Sequence, residues 1–248
     1  MLEINNLSFS YENHKVLNNI NMVVEKGETI ALIGRSGVGK TTLFQLITGL
    51  ISPQKGTIRL NGSADYKGKI SYMLQKDMLY SHYTVRENIM LPRIIAGNSK
   101  YEANELAKDL LEQFGMEMWS NYYPKALSGG MRQRISFLRT AAFQRDWLLL
   151  DEAFSALDAF NRANLHKWFM ETREVLNWSS IFITHDIDEA LILSDRVYIL
   201  AGQPGNIVYE RECNFKKENI DEVIFTPEFI EAKKDLLEVL NRNEKIDE

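Results

Sequence analysis

Apolar and polar residues alternate strictly over Leu7-Ser8-Phe9-Ser10-Tyr11, the period of a half-buried strand, and Glu12-Asn13-His14 supplies a turn after it. Met22-Val23-Val24 runs into a second turn, Glu25-Lys26-Gly27-Glu28. The unbroken run Thr29-Ile30-Ala31-Leu32-Ile33, closed by Gly34, has the character of a strand covered on both faces. A helix is predicted over 41–50 and a strand over 56–62, bounded by glycines. In the middle of the chain, Thr84-Val85-Arg86-Glu87 and Ser99-Lys100-Tyr101-Glu102 both match a capping box, in which the hydroxyl and the carboxylate satisfy the first amides of a helix. Ala103, Leu106, Ala107, Leu110, Leu111 and Phe114 then recur at steps of three and four along one helix face, with Gly115 as the stop. Strand character returns at 147–150, 180–184 and 196–200, with a helix between that carries Leu165, Trp168, Phe169, Thr172 and Leu176 on one side. A last helix opens at Thr226 and Pro227 and presents Phe229, Ala232, Leu236, Val239 and Leu240. Strands alternating with helices predict an α/β fold, a mainly parallel sheet flanked by helices, with an antiparallel β part at the N-terminus.

Composition narrows this picture only slightly. The chain has 248 residues, 45% of them hydrophobic and 25% charged, which excludes disorder as the dominant state. Its formal net charge of −5 argues against nucleic acid as a partner, since phosphate binding needs a basic face. Cys213 is the one cysteine and can form no internal disulfide, so a reducing compartment is expected. Met1-Leu2-Glu3-Ile4 lacks the basic start and apolar run of a signal peptide, and no apolar run approaches the roughly 20 residues that span a bilayer. A location inside the cell is therefore expected.

The candidate chemistry begins where the buried strand ends. Gly34-Arg35-Ser36-Gly37-Val38-Gly39-Lys40-Thr41 fits G-x-x-x-x-G-K-[ST] and lies between a strand and a helix, as a phosphate loop requires. Glycines let successive amides turn inward around an anion, and the following helix adds the positive end of its dipole. Lys40 can reach the outer phosphates of a nucleotide, and the Thr41 hydroxyl, next to Thr42, can ligate Mg²⁺. Downstream, the apolar strand Trp147-Leu148-Leu149-Leu150 ends in Asp151 and Glu152. Ligands of parallel sheets gather at the carboxyl ends of strands. There Asp151 would support Mg²⁺, and Glu152 could polarise an attacking water. His14, His82 and His166 lack such context and read as surface or packing residues.

Leu127-Ser128-Gly129-Gly130-Met131-Arg132-Gln133-Arg134 resembles the LSGGQ-type signature of ABC transporter ATPases. Ser128 with the amides of Gly129 and Gly130 at a helix N-terminus makes a second anion surface. The resemblance covers most of the chain and implies a P-loop NTPase, with one cassette over 1–202, a helical subdomain inserted over about 76–145, and a short strand and helix tail over 203–248. It implies that two subunits pack head-to-tail and trap ATP between them. Gly34, Arg35, Ser36, Gly37, Val38, Gly39, Lys40, Thr41 and Thr42 would then hold the phosphates of one nucleotide. Ser128, Gly129 and Gly130 of the second subunit would close on its γ-phosphate. Tyr11 resembles the aromatic residue that stacks on adenine, with Val16 beside it, though a cross-strand surface tyrosine would look the same. Gln75 resembles the glutamine that touches Mg²⁺ and water, so that the implied Mg²⁺ set is Thr41, Gln75 and Asp151. Asp158 lies in a stretch, Ser155-Ala156-Leu157-Asp158, that resembles the loop crossing the dimer interface. Glu152 and His185 would be catalytic, the histidine holding the γ-phosphate. Arg35, Ala153, Ser155 and Asn206 depart from the usual residues, and none of these removes a catalytic group.

Finer features resemble the nitrate, sulfonate and taurine importer branch, which includes uptake systems for thiamine precursors. They are Met73-Leu74-Gln75-Lys76-Asp77, Asp195-Arg196-Val197-Tyr198-Ile199-Leu200 and Gln203-Pro204-Gly205-Asn206-Ile207-Val208. The implied partners are a second ATPase subunit, a transmembrane permease and, indirectly, a substrate-binding protein. The implied place is the cytoplasmic face of the cell membrane. Met78-Leu79-Tyr80-Ser81-His82-Tyr83 is rich in large apolar side chains, which would either pack inside the helical part or receive a short helix of the permease. A second function stays open at this point, that of a soluble ATPase of the same type driving protein or iron–sulfur cluster assembly.

Overall fold

In a computed structural model of the chain, residues 1–154, 159–213, 215 and 220–244 are described. The elements run β1 (Leu2–Tyr11), β2 (His14–Val24), β3 (Thr29–Ile33), α1 (Lys40–Thr48), β4 (Lys55–Leu60), β5 (Ile70–Met73), α2 (Val85–Ile95), α3 (Lys100–Gln113), α4 (Gly129–Ala141), β6 (Trp147–Asp151), α5 (Ala159–Leu176), β7 (Ser179–Ile183), α6 (Ile187–Leu193), β8 (Arg196–Ala201), β9 (Asn206–Glu212), α7 (Ile220–Val223) and α8 (Pro227–Glu244). Two compact units divide them, Met1–Ile70 with Trp178–Glu248, and Ser71–Asn177.

In the first unit, β1 pairs antiparallel with β2 on one side and with β4 on the other. Beside this small sheet, β3 lies parallel between β7 and β8, and β9 adds antiparallel to β8. Every residue of β3 and of β7 is buried, which is why these strands read as continuous apolar runs and not as alternations. Burying each large aliphatic side chain contributes about 1.5–3 kcal/mol, so Ile30, Leu32, Ile181 and Ile183 make this the stable floor from which the site loops rise. The C-terminal helix α8 buries Phe229, Ala232 and Leu236 as its spacing predicts, and Lys233 forms an ion pair with Asp188 of α6 at 2.6 Å.

Helix α1 stops at Thr48, short of the predicted Leu50. Gly49 takes a left-handed φ of 78° and its amide closes on the Leu46 carbonyl, a turn that ends a helix. Close backbone approach shapes the next junction. Gly205 donates its amide to the Val16 carbonyl at 2.8 Å, and a Cβ on it would lie 2.3 Å from the Val38 carbonyl oxygen. Gly205→Ala is therefore expected to lower stability by about 1–3 kcal/mol, read as a lower urea midpoint at constant slope. An unchanged midpoint would show that the Val38 backbone yields freely.

In the second unit, β5 and β6 are neighbours in the sheet, and β6 is buried throughout. Both capping boxes form as predicted, at Thr84 with Glu87 and at Ser99 with Glu102. Helix α2 carries Pro92 in its interior. Its fully buried Asn88 holds the preceding turn by accepting the Tyr80 amide at 2.8 Å and by donating to the carbonyls of Tyr80, Tyr83 and Thr84. Around Phe137 cluster the rings of Phe154, Trp168 and Phe169, between 5.6 and 5.9 Å away. Among the described residues, no helix is long and apolar enough to cross a membrane.

Candidate functional site

One group of candidate residues is the loop that joins β3 to α1. Arg35, Ser36 and Gly37 are exposed, while Val38, Lys40 and Thr42 are buried and Thr41 faces outward. Gly39 occupies the N-cap of α1 at φ 108°, a left-handed conformation that favours glycine, and a Cβ there would meet Leu17 Cδ2 at 2.7 Å. No side chain caps α1, and no acidic residue lies in its first turn. That is the arrangement of a helix N-terminus that receives an anion. The Lys40 ammonium folds back over the loop and donates to the carbonyls of Gly34 and Arg35 at 2.7 and 2.8 Å.

Sheet register places His185 by the same loop. β3 and β7 run parallel with Leu32 opposite Ile183, so Gly34 and His185 leave the same edge of the sheet. His185 is exposed in a bend that is held on both sides. Thr184 Oγ1 accepts the Asp186 amide at 3.0 Å, and Asp186 Oδ1 caps α6 by accepting the amides of Asp188 and Glu189. Tyr11, at the end of β1, is 46% exposed. Its ring meets Phe9 edge-on at 4.9 Å and its hydroxyl donates to Gln45 Oε1 at 3.1 Å, with half-buried Val16 on β2. The ring is thus held by two contacts and still partly exposed, an arrangement compatible with stacking.

A second group of candidate residues lies in the other unit. Strand β6 ends at Asp151, 7% exposed, whose Oδ2 accepts the Tyr72 hydroxyl at 2.9 Å. Burial first, and then the charge of Asp151, push the Tyr72 hydroxyl well above the usual tyrosine range, so it remains a proton donor to that carboxylate. Glu152 follows at φ 46°, a left-handed conformation uncommon for a side chain of its type, and its Oε2 accepts from Gln75 Nε2 at 2.8 Å. The Ser128 hydroxyl caps α4 by accepting the Met131 amide at 3.3 Å, with Gly129 and Gly130 in the first turn. Gln133, one turn further, donates to the Ala153 carbonyl, so the signature helix holds the turn that carries Glu152. Ser155 to Asp158 lie outside the described residues, and Asp158 with them.

The sequence assigned no role to Tyr72, Asp77 or Arg132 themselves, yet each holds a predicted site residue or its neighbour. Met78 and Tyr80 are exposed. They line a groove of about 530 Å³ together with Leu74, Leu91, Ile95 and Phe143.

Residues 17–155 match the ABC transporter family. The formylaminopyrimidine import ATP-binding protein ThiZ of Halalkalibacterium halodurans is 41% identical over 205 residues, covering 82% of this chain and 81% of its own. The nitrate import ATP-binding protein NrtD of Synechocystis sp. is 37% identical over 204 residues, covering 80% of this chain and 75% of its own. The dimeric structure of a post-hydrolysis state of the ATP-binding cassette MJ0796, bound to ADP and Pi, superposes with a TM-score of 0.74 at 25% identity, covering 87% of this chain and 100% of that one. The chain belongs to the ABC transporter family and has the P-loop NTPase fold. It is an ABC-type ATP hydrolase whose relatives are import ATP-binding proteins.

Proposed function

We propose that this chain is the ATP-hydrolysing motor subunit of a membrane importer for a small solute, of the anionic or heterocyclic kind named in its relatives. The observation that carries this is the 41% identity to an import ATP-binding protein over most of both chains. ATP binds the loop from Gly34 to Thr42, with adenine on Tyr11 and Val16. A second subunit presents Ser128, Gly129 and Gly130 to its γ-phosphate, and Asp158 belongs to the same interface. Thr41, Gln75 and Asp151 would hold Mg²⁺, and they fit it, since a hydroxyl, an amide carbonyl and a carboxylate are the hard oxygen donors it prefers. Bound there, the ion would neutralise phosphate charge.

Glu152 orients and polarises the attacking water. Its carboxylate is already fixed by Gln75, which lowers the entropy lost on reaching a productive geometry. His185 holds the γ-phosphate from the edge of the parallel sheet. The Tyr72 hydroxyl keeps Asp151 oriented without competing for its charge. The chain works at the cytoplasmic face of the membrane, peripheral to a permease that binds the groove beside Met78 and Tyr80, with a substrate-binding protein upstream.

A double Met78→Ala, Tyr80→Ala variant tests the docking. Truncating two exposed anchors is expected to weaken capture of the co-expressed permease at least about tenfold, while ATP hydrolysis by the isolated chain stays within about twofold. Unchanged capture and unchanged solute uptake would remove the groove from this role.

A further inference from the structure

One side chain ties the groove segment to the signature helix. Asp77 lies two residues after Gln75 and one before Met78. Its Oδ2 accepts from Arg132 Nε at 2.9 Å, and its Oδ1 accepts the Leu79 amide at 3.2 Å, so both carboxylate oxygens are engaged. Its own carbonyl accepts from Arg139 Nη2 at 2.7 Å and from Ser136 Oγ at 3.1 Å, and Arg139 Nη1 also donates to the Met78 carbonyl at 2.7 Å. Three residues along one face of α4, Arg132, Ser136 and Arg139, thus grip two consecutive residues of the groove segment. Met78 itself takes a φ of 47°, a conformation that persists only when its surroundings impose it.

The grip continues to the signature loop. Arg132 also donates from Nη1 to the Leu127 carbonyl at 2.8 Å, immediately before Ser128. It sits near the positive end of α4, where a cation is unfavourable and no acidic residue of the first turn offsets it. Asp77 supplies the missing countercharge from another segment and fixes the direction of the guanidinium.

We infer that Asp77 is a positioning residue for the signature loop. Through Arg132 it sets where Ser128, Gly129 and Gly130 stand, so the groove segment and the signature loop move as one piece. The inference rests on the reading of those three residues as the clasp that a second subunit closes on ATP. In a head-to-tail dimer the clasp is used twice, so a loss at one site enters the dimer constant squared.

The test uses the full chain in a Glu152→Gln background, with ATP-dependent dimerisation read by sedimentation. Breaking a half-exposed ion pair of this kind costs roughly threefold per contact, so Asp77→Ala is expected to weaken the dimer about tenfold. Arg132→Gln should do the same, and the double variant should be no worse than either single one. ATP affinity of the monomer and the thermal midpoint should hold, and Asp77→Glu should recover most of the dimer.

A dimer as tight as the parent's overturns the inference. So does a tighter one, which would show that the carboxylate acts only by its charge at the helix end. A parallel fall in midpoint and monomer ATP affinity would reduce Asp77 to a structural role. If the Glu152→Gln parent fails to dimerise with ATP while binding it, the clasp reading itself is wrong and the inference falls with it, a result distinct from failure of the Asp77 variants alone.

Discussion

Glu152→Gln is expected to bind ATP with the affinity of the parent chain, to hydrolyse it at least about 100-fold more slowly, and to accumulate as an ATP-bound dimer. The substitution is isosteric, and glutamine tolerates the left-handed backbone at this position no worse than glutamate does. Its carbonyl oxygen can still accept from Gln75 Nε2, so the local hydrogen bond survives. What disappears is the negative charge and the capacity to take a proton. A positioned general base contributes about 10²–10⁴-fold, and only that part of the rate is removed. In the proposed site the phosphates are held by the loop from Gly34 to Thr42, so the defect is expected on kcat and not on KM. Single-turnover hydrolysis and light scattering with and without ATP provide the check. Turnover within fivefold of the parent would remove Glu152 from the base role and shift attention to His185.

How much of this was legible in the sequence depended on whether the information was local. The strand, glycine-rich loop and helix were legible because the motif is the spacing itself. The chain of glycines, lysine and threonine between an apolar strand and a helix admits few other uses. The capping boxes and the face of α8 were legible for the same reason, each being a pattern over one or two turns. Strand β5 was not predicted, since Ile70-Ser71-Tyr72-Met73 is too short to show a period. Helix α2 runs through Pro92, where propensity alone would end it, because burial of Val85, Ile89 and Met90 and the Asn88 network outweigh the local cost. Tyr72, Asp77 and Arg132 escaped because their roles are pairings across 55 to 79 residues of chain, which no local pattern encodes. The exposure of Met78 and Tyr80 stayed open between two readings for a related reason. A large apolar side chain reads as core unless its neighbours in space are known.

Lys40→Ala is expected to lose ATP binding by at least about 30-fold, the equivalent of about 2 kcal/mol, with hydrolysis falling below detection. Lys40 is 8% exposed and its ammonium is held by two backbone carbonyls of its own loop, so it is a preplaced point charge and not a mobile surface cation. A nucleotide phosphate would exchange those neutral acceptors for charged oxygens, which make shorter and stronger hydrogen bonds. Alanine offers nothing in return. The remaining amides and the dipole of α1 keep some anion affinity, so the loss is large but finite. Lys40→Arg is not a rescue, because the planar guanidinium needs more room than the enclosed loop provides. Ligand-linked stability gives a sensitive readout. At ATP of 100 times the parent Kd, the parent gains about 2.7 kcal/mol, whereas a 30-fold weaker variant at the same concentration gains only about 0.9 kcal/mol. The thermal shift with ATP should therefore shrink to about a third, while the unliganded midpoint moves little. A full shift in the alanine variant would mean that the phosphates are held elsewhere, and the loop would lose its place as the centre of the site.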